Sequence, residues 1–206
     1  MVNVEKGAPS RPRNARMTSE LILAAATTEF AEHGFAGARI DQIAERAGAN
    51  KRLIYAYFND KSGLYAAVLE RQIETVMQNV EFSADDLPGF AVSRFDYVLG
   101  DPEVGRLATW RTIDRAAVPT EHETRTYAER VEAIARAQRA GTIDDTLPAV
   151  DLFALVLRMT GAWLSAPPAL RAASGDPDGP ERLAAHRAAL VEAVRRLVVP
   201  SSVPSR

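Results

Sequence analysis

The sequence predicts an all-α protein, a small N-terminal domain of three helices followed by a larger helical domain. Three observations carry that prediction. Apolar residues recur at helical spacing through most of the 206 residues. No stretch alternates with the two-residue period of a half-buried strand. Glycines, prolines and capping residues cut the chain into pieces of ordinary helix length.

The elements follow in order. Residues 1–17 read as a basic arm with Lys6, Arg11, Arg13 and Arg16 beside Pro9 and Pro12, either an untethered terminus or a functional extension. Thr18 or Ser19 offers an N-cap to a first helix with Ile22, Ala25, Ala26 and Phe30 on one face. Gly34 stands where a left-handed cap ends it, and Phe35 can fold back on the helix end. Ile40, Ile43, Ala44 and Ala47 mark a second helix from about Arg39, stopped by Gly48. Asn50 caps a third through Phe58, with Ile54, Tyr57 and Phe58 expected inside. Asn59-Asp60 starts a fourth, whose Leu64, Val68, Ile73 and Val76 keep the period.

Five further helices are expected: Leu87 to Leu99, Glu103 to Ala117, Glu121 to Ala140, Pro148 to Ser165, and Glu181 to Val199. Gly100, Pro119, Gly141, Pro167-Pro168 and a Gly/Asp/Pro loop separate them. The domains are then the arm (1–17), a helix-turn-helix domain (18–62) and a larger helical domain (63–206), with the division inside the fourth helix.

Composition narrows the function classes. With no cysteine there is no disulfide framework, thiol nucleophile or zinc-thiolate site, which fits a reducing cytoplasm. Leu152 to Leu164, the most apolar run, is too short to span a bilayer and is broken by Arg158, so no membrane partner is expected. The net charge of −2 hides an asymmetry: residues 1–62 hold nine Lys/Arg against seven Asp/Glu, and all three lysines, Lys6, Lys51 and Lys61, lie there. That sign suits a nucleic-acid-contacting head on a mildly acidic body.

The head has the motif for it. Gly48-Ala49-Asn50 is a small-residue turn between two short helices, and the second opens with Lys51-Arg52-Leu53. In a helix-turn-helix that end enters the major groove. Lys51 and Arg52 can donate to phosphate or guanine, and an exposed Leu53 can touch a thymine methyl. Tyr55 and Tyr57 can reach phosphate with their hydroxyls, and Lys61 with its ammonium.

Ile-Leu-Ala-Ala-Ala, Phe-Ala-Glu-His-Gly-Phe, Ile-Ala-Glu-Arg-Ala-Gly and Ile-Tyr-Ala-Tyr-Phe-Asn-Asp-Lys, in that order within residues 22–72, resemble the N-terminal domain of TetR-family regulators. The resemblance implies that Lys51–Phe58 is the recognition helix, with DNA contacts from Lys51, Arg52, Leu53, Tyr55, Tyr57 and Lys61. Asn50 is expected to cap that helix at the DNA face. Arg39 stands where a phosphate-binding Thr or Ser is frequent and is expected to take over that contact. Glu29 stands where leucine is usual, so the first helix is expected to be less buried there.

The resemblance extends more weakly over Asp101–Trp110, Gln138–Ile143 and Gly161–Leu164. It implies a ligand-binding and dimerisation domain, a homodimer, and release from near-palindromic double-stranded operator DNA by a small-molecule inducer. Leu183, Leu190, Val194 and Leu197 are spaced for one packing seam, and the helix around Phe153 is apolar enough to be covered on two sides. Trp110, Tyr127, Phe153, Met159 and Trp163 are the candidate inducer contacts, each also readable as plain core, and Arg106, Arg111 and Arg158 can orient an acid if they point inward.

No cofactor and no metal are expected. His33, His122 and His186 are scattered, and no Gly-rich phosphate loop, nucleophile elbow or Glu-x-x-His pair occurs, so the chain is not expected to be an enzyme. The rival reading is a helical protein-interaction module without sequence-specific DNA binding.

Overall fold

The computed structural model describes residues 11–114 and 118–200. Among them are ten α-helices, one 3₁₀ turn (Ala84–Asp86) and no strand. The helices are α1 (Arg11–Gly37), α2 (Ile40–Ala47), α3 (Lys51–Phe58), α4 (Lys61–Asn79), α5 (Leu87–Gly100), α6 (Pro102–Ile113), α7 (Glu121–Arg139), α8 (Ala149–Thr160), α9 (Pro168–Ala172) and α10 (Pro180–Val198). No described helix is long and apolar enough to cross a membrane.

Residues 1–10 of the expected arm lie outside the described residues, and α1 begins at Arg11, seven residues before Thr18. Pro12 is tolerated there, because its missing N–H would have been an orphan donor of the first turn. Arg16 reaches Glu20 one turn on, at 3.1 Å. At the other end Gly34 breaks the helix with φ 65° and ψ −179°. The positive φ was expected, but ψ is extended rather than left-handed helical. A short second piece then runs to Gly37.

The chain divides into two compact units. The first holds residues up to Gln72 together with Arg106–Val118, and the second holds Ile73–Gly105 and Pro119 onward. The division does fall inside α4, ten residues beyond the expected 62/63 boundary, and α6 is shared as well.

In the first unit Ile22, Ala26 and Phe30 of α1, Ile43 of α2, Ile54 of α3, Leu64 and Tyr65 of α4, and Leu107 of α6 form one core with no exposed surface. Phe30, Phe35 and Tyr65 pack ring on ring at 4.8–6.5 Å. The expected inward face of α3 needs one correction. Ile54 is buried, but Tyr57 is 38% exposed, because an eight-residue helix lying on α1 and α2 can bury only one narrow stripe.

The second unit is a bundle in which α5 packs on α8 and α10, and α7 on α8. Its core joins Phe90 and Phe95, Ile134, Leu152, Phe153 and Val156, and Leu190 and Val194. Leu183 and Leu197 pack against the same core, so the seam of the last helix faces its own chain. α8 ends at Thr160, five residues early, where the Thr160 hydroxyl donates to the Leu157 carbonyl and Gly161 begins a turn. Pro167-Pro168 ends nothing: it starts α9, since proline fits the first helical position.

Candidate nucleic-acid interface

Local capping sets the geometry of the α2–α3 turn. Gly48 takes the left-handed conformation (φ 59°, ψ 30°), and its N–H closes on the Ala44 and Glu45 carbonyls. The Asn50 side-chain oxygen then accepts from the Arg52 N–H at 2.8 Å. Its capping oxygen is thus committed to the helix, which leaves the amide NH₂ to offer elsewhere.

The N-terminal side of α2 is held differently. Arg39 is the N-cap residue in an extended conformation, with no side-chain cap of its own. Its backbone N–H instead donates to Glu29 Oε1 at 3.0 Å. Glu29 is 2% exposed, so the expectation of a less buried α1 is corrected. A carboxylate on the inner face of α1 is retained because it satisfies the N-cap donor, and Arg46 stands 3.9 Å away to offset its charge. The Arg39 side chain is exposed.

On α3, Lys51, Arg52, Leu53, Tyr55 and Tyr57 are all exposed, with Leu53 at 37%, Tyr55 at 44% and Tyr57 at 38%. The first turn of α3 holds two cations and no acidic residue. That arrangement opposes the helix macrodipole, which favours anions at this end. A positively charged first turn is therefore suited to an external anion. Within the chain Lys51 has Asp41: its ammonium lies 2.7 Å from Asp41 Oδ1, and that hydrogen bond raises its pKa. Lys61, at the start of α4, lies 3.4 Å from the Ala36 carbonyl and 5.0 Å above the Phe35 ring. Asn50 and Lys51 thus stand at the turn, with Arg52, Leu53, Tyr55 and Tyr57 on α3, Lys61 opening α4, and Arg39 at the far end of α2.

Sequence reasoning misread Glu29 and missed Asp41. Glu29 had a signal, since it interrupts the apolar stripe just before Phe30. Asp41 had none, because its pairing with Lys51 needs the turn between α2 and α3.

Of the five residues expected to contact an inducer, four lie in or against the second unit's core and Trp110 does not. Trp110 belongs to the first unit: its indole N–H donates to the Ala31 carbonyl at 3.2 Å and its ring lies against Gly34. Tyr127 and Phe153 share the second unit's core, 6.2 Å apart. Trp163 is 8% exposed and donates to the Pro177 carbonyl at 3.0 Å, with His186 5.8 Å and the Arg182 guanidinium 4.6 Å from its ring. Met159 is half-buried against the same core. A cavity of about 550 Å³ opens instead among Met77, Gln78, Glu81, Phe82, Thr126, Glu129, Arg130 and Ala133, and none of the five lines it. Arg106 and Arg158 are exposed.

An all-helical chain with a capped helix-turn-helix and a cationic, exposed second helix is the architecture of a DNA-binding regulator. Residues 22–68 match the family model described as "Bacterial regulatory proteins, tetR family", and residues 86–196 match "Tetracyclin repressor-like, C-terminal domain". The chain is 37% identical over 190 residues to the HTH-type transcriptional repressor SCO4008 of Streptomyces coelicolor, covering 90% of this chain and 97% of that protein. The solved structure of SCO4942, also of S. coelicolor, superposes with a TM-score of 0.78 at 37% identity, over 88% of this chain and 98% of that one. A TetR-family regulator from Marinobacter aquaeolei shares the fold at 21% identity, with a TM-score of 0.69 over 89% and 98% of the two chains. The protein belongs to the TetR family. It is a DNA-binding transcriptional regulator and not an enzyme, which sets aside the interaction-module reading.

Proposed function

We propose that the protein is a cytoplasmic, homodimeric repressor that binds near-palindromic double-stranded operator DNA and is released by a small molecule held in its second unit. The observation that carries this is the exposed face of α3, with Lys51 and Arg52 in its first turn against the macrodipole. Lys51, Arg52, Tyr55, Tyr57, Lys61 and Arg39 contact phosphate or base edges, Leu53 meets a thymine methyl, and the Asn50 amide faces the backbone. On binding, Lys51 exchanges Asp41 for phosphate. Repression is supported by the name of the S. coelicolor relative, which covers nearly the whole chain.

Dimerisation uses the apolar surface that α8 and α10 leave outside their own core, where Val150, Leu155 and Val191 are 57%, 45% and 38% exposed. Two-fold symmetry then sets two recognition helices on successive turns of a palindrome. Ligand binding shifts the population toward a conformer whose two α3 helices no longer match that spacing, and α4, shared by the two units, carries the change.

Selection of bound sequences from a random DNA pool tests the reading, with Lys51→Ala/Arg52→Ala as the control. A near-palindromic site that the double variant fails to enrich is the expected result. No enriched sequence, or the same site from the variant, overturns it.

A further inference from the structure

Two partly buried arginines in the second unit have no carboxylate partner. Arg130 of α7 forms part of the cavity wall, with its guanidinium 5.1 Å from the Phe82 ring centroid and 5.8 Å from that of Phe90. Arg94 of α5 lies deeper, and its Nε is buried without a hydrogen-bond partner. Among the described residues neither arginine makes an ion pair. Glu81 and Glu129 also line the cavity, but both are exposed and neither pairs with Arg130. A desolvated guanidinium without a carboxylate is costly, and two that feel each other's charge are more so.

Their acid–base behaviour agrees with this placement. Burial lowers the pKa of Arg94, with the Tyr127 hydroxyl acting against it. For Arg130 burial again leads, opposed by Tyr127 and reinforced by repulsion from Arg94. No carboxylate contributes to either. Around the pair stand aromatic rings: Phe82 is 5.4 Å from both Phe90 and Phe153, and Tyr127 is 6.2 Å from Phe153.

We infer that the cavity beside Arg130 is a binding site for an aromatic carboxylate, whose acid group pairs with the Arg130 guanidinium in the cavity wall, backed by the charge of the deeper Arg94, while its ring packs on Phe82. The inference rests on the reading above that the second unit takes a small molecule, and it names that molecule's chemical class. A planar carboxylate matches the forked donors of guanidinium, and a volume of about 550 Å³ suits a small organic acid. The ligand supplies a carboxylate partner for Arg130, which Glu81 and Glu129 on the same wall do not. The arginines expected to orient an acid, Arg106, Arg111 and Arg158, are not needed for this.

Calorimetry on the full chain tests it with benzoate, phenylacetate and naphthalene-2-carboxylate, each beside its carboxamide. At least one acid should bind about tenfold or more tightly than its amide; Arg130→Met should remove that preference, and Arg94→Met, which deletes the charge behind it, should reduce it. Without ligand, Arg94→Met should raise Tm by about 2–4 °C, because it deletes an unpaired buried charge, whereas an arginine with a purely structural role would lower it. Should Arg94→Met not fold, Arg130→Met and the acid–amide comparison on the wild-type protein decide the matter. Acids and amides that bind alike, no binding by any acid, or variants that keep the preference would overturn the inference. Operator binding, measured separately, distinguishes the two readings: an operator bound without any acid affinity sinks only the ligand class. Acid binding that leaves the operator complex intact sinks only the induction.

Discussion

Gly34→Ala should be among the most damaging single-methyl additions this protein can take. The residue has φ 65° and ψ −179°, a region that is essentially restricted to glycine, so a side chain there costs about 1–3 kcal/mol. The added Cβ would also lie 2.8 Å from Cδ2 and Cε3 of Trp110. The indole cannot retreat freely, because its N–H is bound to the Ala31 carbonyl at 3.2 Å. Overpacking against a fixed ring adds about 1–3 kcal/mol. The sum, about 2–6 kcal/mol, is a large share of the roughly 5–15 kcal/mol that holds a domain folded. Urea unfolding followed by tryptophan fluorescence measures it. The Trp110→Leu background separates the two terms, since the clash should shrink there while the backbone strain persists. A loss below about 1 kcal/mol, or one unchanged by Trp110→Leu, would refute the reasoning. The junction also positions Phe35, whose N–H donates to Asp114 Oδ2 at 3.1 Å and whose ring lies under Lys61. Operator affinity should therefore fall with stability.

Four further outcomes are expected. Glu29→Ala removes the acceptor of the Arg39 N–H and should cost about 1.5–3 kcal/mol in chemical denaturation, with Glu29→Gln milder because it keeps an acceptor. Asp41→Asn frees Lys51, so the operator Kd should fall at low salt with little change in Tm. Lys51→Ala should weaken binding and reduce the salt slope by about one; equal slopes for Lys51→Ala and wild type would exclude a phosphate contact. Burial, and then Arg182, hold the His186 pKa below its ordinary 6.5. The folded state therefore resists protonation that the unfolded chain accepts, and stability is lost as pH falls below about 6.5 toward the folded value. His186→Phe should flatten that part of a Tm–pH profile, and an unchanged profile would show that the imidazole is not responsible.

Whatever depends on neighbours within one helical turn was legible in the sequence. The positions of α2, α3, α5, α7 and α10 follow from apolar periodicity, from breakers such as Pro119, and from caps such as Asn50 and Gly48, whose hydrogen bonds span three residues or so. The cationic start of α3 is likewise a local fact, and with the spaced submotifs it sufficed for the family. What failed had a partner distant in the chain. Trp110 looked like a cavity aromatic until it met Ala31, 79 residues away. Glu29 looked like a defect in α1 until it received the Arg39 N–H. The stripe through Leu190 and Val194 had the right period, but period cannot say whether a face meets its own bundle or another chain. Arg94 and Arg130 gave no signal, because an arginine's burial and lack of a carboxylate are properties of the packed interior. The sequence by itself determined which segments are helical and which helix opens with two cations. The tertiary structure decided which polar groups are satisfied and which are left waiting for a partner, since desolvation exists only once the helices have closed over them.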